Sequence, residues 1–238
     1  MNFCRNILIF IGLGILYVGS ILQAEAMDVL ENPILEIDRI HNEIKIDGNL
    51  TELEWGKAKG TDYFLEIEPG ENILPTEKTK VKIAYDDQNL FVAFWAFADP
   101  NDIRASYQNR DQAWMDDYVA IFLDTYGDAN NGTMIGSNPY GIQMDALSNG
   151  RNDDPSFDIV YKSQGEITDN GYQVEMAIPF SSLSFPDKEV QEWKVGFYRS
   201  LPREKRSQII WGGFDRTDPC FLCQLGTLKG IQGIKQKG

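Results

Sequence analysis

Thr79-Lys80-Val81-Lys82-Ile83-Ala84-Tyr85-Asp86-Asp87-Gln88-Asn89-Leu90-Phe91-Val92-Ala93-Phe94-Trp95-Ala96-Phe97-Ala98 is the stretch that decides the fold class. In its first half Val81, Ile83 and Tyr85 alternate with Lys80 and Lys82, the period-two pattern of a strand with one wet face. Asp86-Asp87-Gln88-Asn89 has the chemistry of a turn. Residues 90–98 are apolar throughout, as in a strand covered on both faces. The two halves predict an antiparallel hairpin.

The same signals continue along the chain. Residues 118–123 and 140–147 read as further strands. Thr168-Asp169-Asn170-Gly171 is a tight-turn signal, after which Tyr172, Val174, Met176 and Ile178 alternate with Gln173 and Glu175 until Pro179 ends the strand. Residues 193–200, 208–211 and 225–230 complete the set, and residues 181–183 suit one helical turn. Before the hairpin, Ile34, Ile37, Ile40, Ile44 and Ile46 stand among charges, so residues 27–46 read as a leading strand. Gly48-Asn49 makes a turn. Thr51 and Glu54 have the spacing of a capping box, which predicts a short helix from about Thr51 with Trp55 and Ala58 facing the core. Many short strands with turns between them predict an all-β fold, an antiparallel β-sandwich of jelly-roll type with one or two short helices.

The N-terminus carries Arg5, an apolar stretch from residue 7 to 22, and Ala24-Glu25-Ala26, the small-x-small pattern cut by a signal peptidase. Residues 1–26 are therefore expected to be a signal peptide, with a single mature domain over residues 27–238 that is exported, periplasmic or extracellular. The formal net charge of −14 argues against nucleic acid or anionic lipid as a partner, since both demand a basic face. Cys220 and Cys223, in an exported chain, are expected to close a small disulfide loop. His41 is the only histidine in the chain and Gln224 follows the second cysteine, so a structural zinc site and a c-type haem are not supported.

Several segments, taken in order, resemble the family 9 carbohydrate-binding modules attached to xylanases. They are Ile46-Asp47-Gly48 with Trp55, Val81-Lys82-Ile83-Ala84-Tyr85-Asp86-Asp87 with Leu90-Phe91-Val92, Trp114-Met115-Asp116-Asp117-Tyr118-Val119-Ala120-Ile121-Phe122-Leu123-Asp124, Gly171-Tyr172-Gln173-Val174-Glu175-Met176-Ala177-Ile178-Pro179, and Leu225-Gly226-Thr227-Leu228. The resemblance spans roughly residues 40–231. Arg110-Asp111, Asn138-Pro139-Tyr140-Gly141, Ile178-Pro179-Phe180-Ser181-Ser182-Leu183-Ser184-Phe185 and Arg199 are closer still to a bacterial group in which such a module precedes an outer-membrane β-barrel. The chain stops at Gly238, where that barrel would begin.

The resemblance implies a sugar site built from flat aromatic faces and hydrogen-bonding side chains. Trp114 falls on one of the two tryptophans that sandwich the sugar in the xylanase modules. The second has no counterpart; Phe214 or Phe221 stands in the corresponding loop. Gln143, Asp145 and Arg110 are the polar candidates. The family modules bind calcium, and Asp124, Asp128 and Asn130 are candidate oxygen ligands. The function implied is non-catalytic binding of a plant or microbial polysaccharide, xylan- or glucan-like, serving carbohydrate catabolism through a glycoside hydrolase or an outer-membrane barrel, with the chain itself monomeric. Two alternatives stay open. One is a haem b electron-transfer sandwich with Met115, Met144 or His41 as ligands; the other is a structural adaptor of an outer-membrane barrel. A glycosidase needs two carboxylates at a defined separation, and the sequence singles out no such pair.

Overall fold

The computed structural model describes residues 32–148 and 153–236; the signal segment and the Met27 start lie outside the described residues. The first half runs β1 (Ile34–Glu36), α1 (Leu53–Lys57), β2 (Lys59–Thr61), β3 (Phe64–Glu68), β4 (Thr79–Tyr85), β5 (Asn89–Phe97), β6 (Tyr118–Asp124) and β7 (Gly132–Ser137). The second half runs β8 (Gln143–Ser148), β9 (Asp153–Asp154), β10 (Lys162–Thr168), β11 (Gly171–Pro179), β12 (Trp193–Pro202), β13 (Arg206–Trp211) and β14 (Gly226–Lys229). Two sheets result: β10-β11-β5-β4-β2, and β1-β14-β12-β6-β7-β8-β9, with β13 pairing β12 and β3 pairing β13. All pairings are antiparallel except β1 with β14, where Ile34 pairs with Thr227. This is the all-β sandwich expected.

The hairpin forms as read. Asp86 Oδ1 accepts from the backbone N–H groups of Gln88 and Asn89, both at 2.7 Å, and fixes the register that pairs Tyr85 with Leu90. Val81, Ile83, Val92 and Phe94 then face Val119, Ile121, Val195 and Phe197 of the other sheet, all fully buried. Phe94 and Phe197 meet edge to face at 6.2 Å across the core. Each such side chain contributes roughly 1.5–3 kcal/mol by leaving water.

Each sheet also has an apolar outer face, which is why β5 and β6 are apolar without alternation. On the smaller sheet Phe91, Ala93 and Ala177 are covered by Ile44 and Trp55 from the N-terminal segment. On the larger sheet Ala120, Phe122, Met134, Ala146, Tyr198 and Ile210 gather with Leu222 and Leu225. Among the described residues that face is covered only by loops and the short 3-10 turn Leu222–Gln224, and the candidate functional site forms there.

Three details differ from expectation. The capping box does not form: α1 begins at Leu53 with Glu52 at its N-cap and no side-chain cap, because Glu54 instead accepts from Asn42 Nδ2. The leading segment is strand only over β1, since most of its isoleucines pack as an irregular cover. β2, β3, β7, β9 and β10 were not anticipated. β7 is rich in Gly and Ser, and β10 is an edge strand whose alternating residues are mostly polar.

Candidate functional site

A cavity of about 370 Å³ opens on the outer face of the larger sheet, lined by Trp114, Tyr118, Phe122, Tyr198, Phe214 and Phe221, with Ile67, Met134, Ser148, Asp153 and Gln208. That volume is at the lower end of the roughly 300–1,000 Å³ usual for small-ligand sites. Strand alternation supplies the floor: on β6, Tyr118 and Phe122 point outward while Val119, Ile121 and Leu123 point into the core. Across the β12 pairing, Tyr198 lies beside Ala120 on the same face.

The rings form a continuous chain. Trp114 meets Tyr118 at 6.0 Å edge to face, Tyr118 meets Tyr198 at 5.8 Å, Tyr198 meets Phe122 at 5.9 Å, Phe122 meets Phe221 at 4.9 Å and Phe221 meets Phe214 at 5.6 Å. Offset and edge-to-face pairs of this kind hold each ring in place. Burial pushes the Tyr118 hydroxyl above its ordinary pKa and the Tyr198 hydroxyl well above it, so both stay protonated and able to donate at neutral pH. The cavity therefore joins aromatic area to neutral and acidic hydrogen-bonding groups.

The loop carrying Phe214 and Phe221 is tied on every side. Cys220 and Cys223 are joined by a disulfide. Between them Leu222 is fully buried in the outer apolar cluster. Gln224 accepts from Asp215 N at 2.6 Å and donates to Asp215 O at 3.1 Å. Asn72 accepts from Phe214 N at 2.8 Å and donates to its carbonyl at 2.9 Å.

The match that identifies the chain covers most of this architecture but stops before the loop of Phe214 and Phe221: the model of the carbohydrate family 9 binding domain-like family fits residues 46–207. The chain belongs to this family. A putative carbohydrate-binding protein from Bacteroides uniformis ATCC 8492 superposes with a TM-score of 0.67 at 15% identity, covering 84% of this chain and 100% of that one. A family 9 carbohydrate-binding module from Caldicellulosiruptor kristjanssonii in complex with glucose gives 0.59 at 17% identity, covering 86% and 97%. The module from that organism in complex with cellotriose gives 0.57 at 16%, covering 87% and 94%. These likenesses show the fold. No curated protein matches the chain.

Within this family 9 domain the sequence-derived candidates separate into two places. Trp114 and Phe221 come together in the cavity. Gln143, Asp145 and Arg110 do not join them, because the odd-numbered residues of β8 face inward: Gln143 pairs with Ser137 and Asp145 with the core residue Ile135, whereas Ala146 and Ser148 face the cavity side. The three form a network of their own. Arg110 donates to Gln143 Oε1 at 2.8 Å, to Asp145 Oδ1 and to the Ile159 carbonyl at 2.7 Å, and its Nε lies 3.1 Å from Asp158. Burial pushes the Asp145 carboxyl up, against the pull of the Ile159 N–H and of Arg110. Asp111, Asp145 and Asp158 bring carboxylate oxygens within 4.8 Å of one another, and the Arg110 guanidinium already serves as their cation.

The proposed calcium residues lie on the turn after β6. Asp124 is fully buried and accepts from the N–H groups of Tyr126, Gly127 and Ala129 at 3.2, 2.8 and 2.8 Å; Asp128 and Asn130 are exposed. Of the haem candidates, His41 is exposed, Met144 is fully buried, and Met115 is 76% exposed beside Trp114. Tyr118, Phe122 and Tyr198 also line the cavity and were not among the sequence-derived candidates. Their strands are apolar on both faces, so sequence gave no means of telling core ring from cavity ring.

Proposed function

We propose that this family 9 domain binds a polysaccharide or oligosaccharide, xylan- or glucan-like, in the Trp114–Phe221 cavity and does not itself cleave it. The observation that carries the reading is the placement of Trp114 and Phe221 on one cavity, with Tyr118 and Tyr198 between them as neutral donors. An aromatic face stacks on the apolar C–H face of a pyranose, and hydroxyl, amide and carboxylate groups answer the ring's own hydroxyls. The module described from Caldicellulosiruptor kristjanssonii in complex with glucose and with cellotriose shares this fold, which supports a glucan-like ligand. Export, service to carbohydrate breakdown through a partner hydrolase or barrel, and calcium at Asp128, Asn130 and Asp124 belong to the same proposal. Here calcium would have to share Asp124 with three amide donors.

Isothermal titration of the mature protein with xylo- and cello-oligosaccharides tests the reading. Trp114→Ala and Phe221→Ala are each expected to weaken binding roughly tenfold or more, about 1.4 kcal/mol. The Tyr118-to-Phe122 floor should keep the fold intact. Failure of every glycan on a broad array to bind, or full affinity in both variants, would overturn it.

A further inference from the structure

Five of the seven described arginines are neutralised by acids. Arg39 pairs with Asp87, Arg110 with Asp145 and Asp158, Arg199 with Glu77, Arg203 with Glu77 and Asp117, and Arg216 with Glu68. Arg104 and Arg206 are the exceptions: among the described residues neither has a carboxylate within ion-pair distance. In a chain with a formal charge of −14, an arginine without an acid is a feature to explain.

Arg206 stands beside the cavity, two residues along β13 from the lining residue Gln208 and so on the same face of the strand. Its Nη1 donates to Ser200 Oγ at 2.5 Å, and its Nη2 lies 3.9 Å from the sulfur of Met115, the neighbour of Trp114. Ser200 is the cross-strand partner of Tyr118 on one side and of Gln208 on the other, and both line the cavity. One guanidinium edge is thus held by the sheet, and a guanidinium has five N–H donors in a rigid fork. Asp153, also on the cavity lining, is carried by β9 at the far margin of the sheet, with β8, β7, β6 and β12 between it and β13. The cavity is polarised: cation at one margin, carboxylate at the other.

We propose that the cavity selects glycans bearing a hexuronate, with the sugar carboxylate on Arg206 and its hydroxyls toward Asp153; this rests on the carbohydrate reading of the same cavity. A ligand that caps the mouth strips water from Arg206. Neutral hydroxyls compensate a desolvated guanidinium poorly, whereas a carboxylate meets its fork with two charge-assisted hydrogen bonds. Asp153 at the opposite margin repels the reverse orientation and accepts from sugar hydroxyls. The Tyr118 hydroxyl, raised chiefly by burial, feels both charges, Arg206 acting to lower it and Asp153 to raise it, which is consistent with a floor lying between the two.

The experiment uses the mature protein and three probes: a xylo-oligosaccharide with a glucuronosyl branch, the same oligosaccharide with its carboxyl reduced to the alcohol, and the unbranched chain. Titration is expected to show the acid form binding roughly tenfold tighter than its reduced form. That ratio should narrow only in part in about 1 M salt, because a capped ion pair is screened much less than an exposed one. Arg206→Gln should bring the ratio to about one, and Arg206→Lys, which keeps charge but loses the fork, should fall between. Equal affinity for acid and reduced forms in the wild type overturns the proposal while leaving sugar binding intact, as does a ratio unchanged in Arg206→Gln. If no probe binds and no other glycan does, both readings fail together.

Discussion

Trp55 Nε1 donates to Glu175 Oε1 at 2.8 Å, and neither side chain meets solvent. The other oxygen of the same carboxylate accepts from the N–H groups of Gly48 at 2.9 Å and Asp47 at 3.1 Å. One buried carboxylate on β11 therefore latches the whole outer cover of the smaller sheet, which gives Ile46-Asp47-Gly48 and the distant Trp55 a common physical purpose. Gly48 sits at φ +86°, and a Cβ added there would come within 3.3 Å of the Gly165 backbone, so any other residue is strained at that position.

Glu175→Gln places an NH₂ group against N–H donors whichever way the amide turns. It should cost about 1–3 kcal/mol in urea denaturation. Burial raises the Glu175 carboxyl above its ordinary value, against the three donors that favour its charge. A raised folded-state pKa means a contribution that is full below the unfolded carboxylate pKa and lost as pH rises through the folded one. The deficit of Glu175→Gln relative to wild type should accordingly narrow as pH is raised from the acid side. A deficit that widens would show that the hydrogen bonds outweigh burial.

Opening the Cys220–Cys223 disulfide, by a reductant or by a Cys220→Ser/Cys223→Ser double variant, should affect binding more than stability. So short a loop removes little chain entropy, about 2 kcal/mol at most. Phe221 sits inside that loop and lines the cavity, so glycan affinity is expected to fall severalfold. Parallel melting and titration curves separate the two effects. Unchanged affinity after confirmed reduction would mean that Leu222 and Gln224 alone fix the ring.

Arg203 joins two acids: its Nη1 lies 2.9 Å from Asp117 and its Nη2 3.0 Å from Glu77, while Asp117 is fully buried. Arg203→Met leaves Asp117 with the Arg104 N–H as its remaining donor among those described. The loss should be about 2–3 kcal/mol, below the roughly 3–5 expected of a fully buried pair because 23% of the Arg203 side chain is exposed. Adding Asp117→Asn should restore part of it, and chemical denaturation of the single and double variants checks both.

Sequence alone revealed the sandwich because β4, β5, β11 and β12 follow the period-two or doubly apolar patterns closely. It failed at β7 and β10, whose Gly, Ser and charged residues carry no such pattern and become strands only through pairing with neighbours. For the site, Trp114 stood out by its polar flanks and Phe221 by its loop. Gln143 and Asp145 lie away from that cavity, and sequence could not show it because which face of β8 a residue occupies depends on register, a property of the partner strand. Arg206 was invisible for a related reason, since its lack of an acidic partner is a fact of three dimensions.

The parallel pairing of β1 with β14 joins the first described strand to the last. Because Thr227 must be present before Ile34 can find its place, this edge of the larger sheet cannot close until β14 has been made. Such long-range contacts slow folding relative to folds built from local contacts. A chain built this way stays open and threadable at this edge until β14 has been made.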